Sequence, residues 1–155
     1  MFDPSEADAL FARLLAALSR RTASPLEAPD GVLVLLDGTD IVQLVVELSM
    51  AGDHVFLIAR ILPIPQQDAG GTLALRLLRL NADRPALGGA VIAVDGLRRQ
   101  FVLIQQLPLD LEPEAFVDGV EAVLDLAAAV RADVAGDVRP PRGTAALFLR
   151  TGRAA

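Results

Sequence analysis

The sequence predicts an α+β fold in which helices pack on an antiparallel sheet, with the element order α-β-β-β-α-β-β-α. Two observations predict it. Apolar stripes at helical spacing lie near both ends of the chain, and short apolar runs between them are separated by turns that contain Gly or Pro. This order of elements is typical of an α+β sandwich. A length of 155 residues fits one domain.

The first helix is predicted to follow Ser5 and to end near Arg20. Ser5 is a suitable N-cap residue, with Asp8 three positions further on, and Ser24-Pro25 marks the loop that follows. Its apolar stripe consists of Leu10, Phe11, Leu14, Leu15 and Leu18.

Five strands and a short helix are predicted in the middle of the chain. Asp37-Gly38 and Asp95-Gly96 each separate two apolar runs, and Asp-Gly is a strong hairpin signal. The predicted strands are 32–36, 41–50, 55–62, 90–94 and 101–107, and the short helix is 72–81.

The last helix is predicted from Pro113 to Gly136. Proline is tolerated in a first helical turn because its missing N–H has no intrahelical partner there. Acidic residues occupy the outer face of this helix. Its apolar stripe consists of Phe116, Val120, Val123, Ala127, Val130 and Val134.

Composition excludes several classes of protein. Although 53% of the residues are hydrophobic, no run approaches the ~18–20 uncharged residues that cross a bilayer. The first residues are acidic where a signal peptide would be basic, so we expect a protein of the bacterial cytoplasm without membrane insertion. The chain has no cysteine, which excludes disulfides and thiolate metal sites.

Charge divides the chain into an acidic body, 1–137, and an arginine-bearing tail, 138–155. The body holds all 20 acids and ten of the 14 arginines, a net charge of −10, and the four tail arginines bring the total to −6. An acidic body repels phosphate backbones, so nucleic acid is not an expected partner. We expect the body to be the single folded domain and the tail, with Pro140-Pro141, to be mobile.

The inventory of catalytic and ligand-binding residues is small. His54 is the single histidine, which excludes a multi-histidine metal site, and no serine lies in a nucleophile-elbow sequence. Asp37 and Asp40 flank a turn and lack the spacing of a calcium loop. The sequence contains no phosphate-binding glycine motif. We therefore expect no catalytic residues, no cofactor and no metal. An enzyme or a small-molecule binder is the alternative, and a deep pocket that gathers His54 with several acids would favour it.

Apolar residues lie on two sides of several elements. The third strand has Phe56 and Ile58 on one face and other large apolar residues on the opposite face. The short helix has Leu73, Leu77 and Leu80 on one side and Leu75 and Leu78 on another. Contiguous exposed apolar surface usually marks a contact with a partner. We expect a homodimer, and a helix enclosed within the monomer remains the alternative.

Three segments carry a resemblance to class I type III secretion chaperones, the Tir-chaperone family. The run Leu73–Asn81 resembles the leucine-rich helix of the family, which ends in Asn. Gly88-Gly89-Ala90 before a strand and Leu107-Pro108-Leu109 before the acidic start of the last helix resemble its next landmarks. The chain departs from the family in its arginine tail and in Val130, where many relatives have tryptophan.

This resemblance implies a homodimer that binds the N-terminal segment of a secreted effector in extended form, which keeps the effector soluble and competent for secretion. A regulatory or assembly factor of the same fold with another protein partner is the alternative. The client would add apolar anchors and a strand at an exposed sheet edge. The expected effector-binding residues are Leu10, Phe11, Leu14, Val45, Phe56 and Ile58, and the expected dimer-interface residues are Leu73, Leu77 and Leu80.

Overall fold

The structure, a computed structural model, describes residues 2–66, 71–83, 85–135 and 150–151, the last pair as backbone only. The predicted order of helices and strands is confirmed. The helices are α1 (Pro4–Thr22), α2 (Thr72–Leu80) and α3 (Pro113–Ala135), and a short 3-10 helix spans Pro29–Gly31. The strands are β1 (Val32–Leu36), β2 (Val42–Leu48), β3 (His54–Pro63), β4 (Val91–Asp95), β5 (Gln100–Pro108) and β6 (Arg150–Thr151).

The strands form one sheet in the order β4-β5-β3-β2-β1-β6, and every neighbouring pair is antiparallel. β3 is therefore a central strand. Its side chains alternate strictly, because Val55, Leu57, Ala59 and Ile61 are all inaccessible to solvent while the residues between them are partly exposed. The inaccessible face packs in one core with apolar residues of α1 and α3.

α1 begins two residues earlier than predicted. Asp3 caps the helix, since its carboxylate accepts a hydrogen bond of 2.9 Å from the backbone N–H of Glu6, and Pro4 occupies the first helical position. Ser5 thus lies inside the helix. Across the helical layer, Arg21 Nε donates to Glu121 Oε1 at 2.7 Å and links α1 to α3.

α2 lies beside β4 and the end of α3. Arg76 of α2 donates to the backbone carbonyl of Asp133 at 2.6 Å. The side-chain amide of Asn81, directly after the helix, donates to the carbonyl of Ile92 at 3.0 Å and accepts from the N–H of the same residue at 2.7 Å. Asn81 therefore occupies the position that a neighbouring strand would have along β4.

Most of the predicted mobile tail, 138–155, lies outside the described residues, so its mobility stays a prediction. The exception is β6, which was not predicted. Thr151 pairs with Leu35 and Arg150 pairs with Leu36, so these two residues extend the sheet beyond β1.

Candidate functional site

An open groove of about 1170 Å³ lies between α1, the segment 25–31 and the end of β2. Its floor is apolar, and its rim carries three acids, Asp8, Glu27 and Asp30, and one base, Arg20. Met50 stands fully exposed at one end. The apolar lining residues are Phe11, Ala12, Leu15, Ala16, Leu26, Ala28 and Leu48, together with Pro25 and Pro29.

The groove exists because the chain turns sharply after α1 and is then tied back to it. Ala23 adopts the left-handed conformation (φ 51°) that ends the helix. Ser19 Oγ, on the last turn, accepts a hydrogen bond of 3.1 Å from the N–H of Leu26. Gly31 also has a positive φ, 75°, and a side chain there would meet Leu48 Cβ at 3.3 Å. These features hold segment 25–31 as a wall opposite α1.

The groove contains only one of the predicted effector-binding residues of α1. Phe11 lines it, although the ring is largely within the core. Leu14 is inaccessible to solvent and Leu10 packs against the core without lining the groove. Leu14 therefore supports the groove from inside the protein and has no surface for a client. Ala12 and Ala16, on the exposed side of α1, also line the groove. The sequence does not mark them as binding residues, because the apolar stripe of the helix is defined by its large side chains.

The other predicted effector-binding residues share the outer face of the sheet. Val45 pairs with Ile58, and Phe56 lies opposite Glu47 on the same pair of strands. Phe56 and Ile58 are partly exposed, whereas Val45 is buried. A cleft of about 310 Å³ lies on this face and is lined by Val45, Ile58 and Arg60 among others. The structure thus separates the predicted residues into a helix set and a sheet set on opposite sides of the sheet.

A third surface is an apolar patch on α2 and β4. Leu75 and Leu78 of α2 are 55% and 57% exposed, and Val91 and Val94 of β4 are 51% and 57% exposed. Val91 and Val94 point to opposite faces of the sheet because they are three positions apart on one strand, and Val94 shares its face with the buried Ile92. We call Leu75, Leu78 and Val94 the α2–β4 patch. Such large exposed fractions are unusual for neighbouring aliphatic side chains.

The side of α2 that was predicted to form the dimer interface faces the core of the monomer, and the other apolar side faces outward. Leu77 is inaccessible within the core of the monomer, and Leu73 and Leu80 are partly buried against that core. Leu77 therefore has no surface to offer a second copy. Leu75 and Leu78 form the outward side, because the bonds of Arg76 and Asn81 fix the rotation of the helix against α3 and β4.

His54 belongs to a small polar cluster at the turn between β2 and β3. His54 Nδ1 lies 2.9 Å from Asp53 Oδ1, and the Ser49 hydroxyl donates to the same oxygen at 2.9 Å. These contacts, that of His54 first, lower the pKa of Asp53. One carboxylate oxygen thus holds both side chains, whereas nucleophilic catalysis requires the histidine to lie between serine and aspartate.

Asp37 organises the turn between β1 and β2. Its carboxylate accepts hydrogen bonds from the hydroxyl and N–H of Thr39, from the N–H of Ile41 and from the Gln43 amide. These bonds, that of the Thr39 hydroxyl first, lower the pKa of Asp37 to about 2. Across the described part of the chain, no group of three or more His, Asp or Glu residues is arranged to hold a metal ion. The helices described here include none with the length and apolar character of a membrane span.

The fold of three helices on one antiparallel sheet matches that of chains in solved chaperone-effector complexes. A chain in the structure of the HopA1-SchA chaperone-effector complex is 19% identical to this chain, with a TM-score of 0.62, and the match covers 84% of this chain and 98% of that one. A chain of the ExsC-ExsE complex is 20% identical with a TM-score of 0.64, covering 77% and 89%. A chain of the heterodimeric ExoU-SpcU complex from the type III secretion system of Pseudomonas aeruginosa is 16% identical with a TM-score of 0.55, covering 82% and 98%.

The family follows from the sequence itself. The model of the Tir chaperone protein (CesT) family matches residues 13–131, so the chain belongs to this family. No curated protein matches the sequence. The resemblance inferred from the leucine-rich helix and the two later landmarks is thereby confirmed.

Proposed function

We propose that this protein is a cytoplasmic chaperone that binds the N-terminal segment of a type III secreted effector in extended form and keeps it competent for secretion. The observation that carries the proposal is the groove beside α1. It is long, open and apolar along its floor, so it suits a chain that contributes apolar anchors at intervals. Membership of a chaperone family and the fold shared with chaperone-effector complexes support it.

The rim of the groove adds a preference for the client. Three acids and one arginine lie along it, which favours a segment with more basic than acidic residues next to its anchors. The body as a whole is strongly acidic, which favours approach of such a segment from a distance.

A pair of matched substitutions on α1 tests the groove. Ala16 lines the groove and Ala9 does not, and both are exposed on the same helix. The N-terminal fragment of each secreted effector of the source bacterium is coexpressed with the full chain. We expect one such fragment to copurify, Ala16→Glu to weaken its binding at least about tenfold by placing a charge in the apolar groove, and Ala9→Glu to leave it unchanged. Equal binding by both variants, or copurification of no fragment, contradicts the proposal.

We further propose that two copies associate through the α2–β4 patch. The three aliphatic residues of this patch are each more than half exposed, and each gains about 1–2 kcal/mol when a partner buries its exposed half. We expect a wild-type dimer, and Leu78→Glu to produce a monomer in light scattering at micromolar concentration. Ile41→Glu is the control, because Ile41 is exposed in the turn between β1 and β2, at the other side of the sheet. A wild-type monomer, or a dimeric Leu78→Glu variant, contradicts this interface.

The protein is proposed to act by binding alone. In the polar cluster of His54, the Ser49 hydroxyl donates to the Asp53 carboxylate that also contacts His54, so the imidazole is not the group that receives the Ser49 hydrogen bond, as nucleophilic activation by histidine requires. The floor of the groove beside α1 is apolar, whereas a catalytic cleft places polar and titratable side chains against its substrate.

A further inference from the structure

The two edges of the sheet are covered by different groups. At β4, Asn81 bonds both the N–H and the carbonyl of Ile92, the second residue of the strand, so an added strand cannot pair with this residue. At the opposite side, β1 is followed only by β6, a segment of the chain's own basic tail. Strand addition by a client is therefore directed to β1.

Among the described residues, β6 pairs with Leu35 and Leu36, at the end of β1. Gly31, which lines the groove beside α1, immediately precedes the start of the same strand. A client that leaves the groove at Gly31 thus reaches the start of β1 before it reaches the two residues that pair with β6.

The charge of the tail favours its return to this position. The tail carries four arginines and no acid, whereas the body has a net charge of −10. This attraction acts between the whole tail and the whole body, and salt weakens it over about 8–10 Å. It raises the local concentration of the tail near the body.

We propose that β6 is a displaceable stand-in for a client strand, and that an effector segment replaces it on β1. The proposal rests on the proposed chaperone function. The client pairs first with Val32–Val34 and then takes over Leu36 and Leu35 as β6 is released. In the absence of a client, β6 shields part of a sheet edge that would otherwise be open to another chain. Binding of the client and release of the tail are then coupled, so the tail lowers the apparent affinity for every client that uses this edge.

The test uses the full chain and the tail's own sequence as the probe, a fluorescent peptide of residues 144–155. Arg150→Pro/Thr151→Pro removes both backbone N–H groups of β6, and Arg150→Lys/Thr151→Ser is the matched control that keeps them. A tethered strand competes at an effective concentration near the millimolar range, so we expect the peptide to bind the proline variant at least about tenfold more tightly than the wild type or the control. Hydrogen exchange of the β1 amides that point away from β2 should accelerate in the proline variant alone.

Equal peptide affinity for all three chains, or no binding to any of them, overturns the proposal, as does unchanged exchange of these β1 amides. The probe does not depend on an effector. If the peptide result holds and no effector fragment copurifies, the strand exchange stands and the proposed function fails. If an effector fragment binds the wild type and the proline variant equally, the function stands and the role of β6 fails.

Discussion

Asn81→Ala is expected to destabilise the fold through the edge of β4. The side-chain amide makes two hydrogen bonds to Ile92, one as donor and one as acceptor. A typical hydrogen bond contributes about 0.5–1.5 kcal/mol, so we expect the free energy of unfolding to fall by about 2 kcal/mol. The backbone of Asn81 has ordinary right-handed helical angles (φ −63°, ψ −20°), which alanine adopts without cost, so the loss reports the side chain alone.

Asn81→Asp separates the two bonds. Aspartate keeps an acceptor for the N–H of Ile92 and loses the donor, and its charge faces the Ile92 carbonyl. We expect this variant to be no more stable than Asn81→Ala at neutral pH and to recover stability as the carboxyl is protonated, since the protonated group has an O–H to donate. The assay is urea unfolding at fixed protein concentration, because a dimer adds a concentration term. A loss below about 0.5 kcal/mol for Asn81→Ala, within the scatter of ordinary surface changes, would refute the reasoning.

Three further predictions follow from single contacts. Arg131 donates to the carbonyls of Ile61 at 2.6 Å and Arg60 at 3.0 Å, beside the bulge of β3, so Arg131→Ala should lower the free energy of unfolding by about 2–3 kcal/mol in urea. Gly52 has φ 65° and a side chain there would lie 3.1 Å from Ala7 Cβ, so Gly52→Ala should cost about 1–3 kcal/mol in the same assay. Asp37→Asn should remove a component of acid unfolding: because the pKa of Asp37 is lowered from 3.8 to about 2, the stability it contributes is present above about pH 4 and lost as the pH falls towards 2.

Each of these has a matched control. Arg131→Lys keeps the charge but cannot reproduce both donors in one plane, so it should recover only part of the loss. Gly38→Ala changes a turn glycine whose φ is not positive and which has open space around it, and it should cost little. Asp110→Asn changes an exposed residue in the segment before α3, and it should leave the loss of stability between about pH 4 and pH 2 unchanged. Controls that behave like the test variants would show that the named contacts are not the cause.

The hairpins show what the sequence can and cannot predict. Asp37-Gly38 and Asp95-Gly96 correctly predict two turns between paired strands. An Asp-Gly hairpin signal usually reflects a two-residue turn with positive φ at both central residues, but Gly38 and Gly96 do not have positive φ. Instead, the positive φ values belong to Asp40 (61°) and Arg99 (50°), which lie near the end of each turn, shortly before β2 and β5 begin. The first aspartate of each turn bonds main-chain N–H groups further on, and this competes with the tighter turn.

The orientation of α2 could not be predicted from the sequence, for a different reason. Both sides of the helix are leucine-rich, so periodicity identifies two apolar sides of equal weight and gives no reason to place either one inside. The choice is made by polar contacts at the ends of the helix, from Arg76 to the end of α3 and from Asn81 to β4. Both residues were visible in the sequence, but their partners are more than ten positions away. The side that these contacts leave outside, with Leu75 and Leu78, is consequently the one available to a second copy.

β6 was not predicted because its two residues, Arg150 and Thr151, are too few to show the alternation that marks a strand. What the sequence does contain is the charge contrast between tail and body and the apolar run 145–149 before Arg150. A tail intended only to stay in solvent gains nothing from such a run, whereas a segment that returns to a sheet edge needs strand-forming residues near its pairing site. The same features would describe a client segment: basic, with apolar residues at intervals and able to add a strand. The tail and the client are therefore expected to compete for Leu35 and Leu36 by the same main-chain pairing, and contacts in the groove beside α1 add to the affinity of the client.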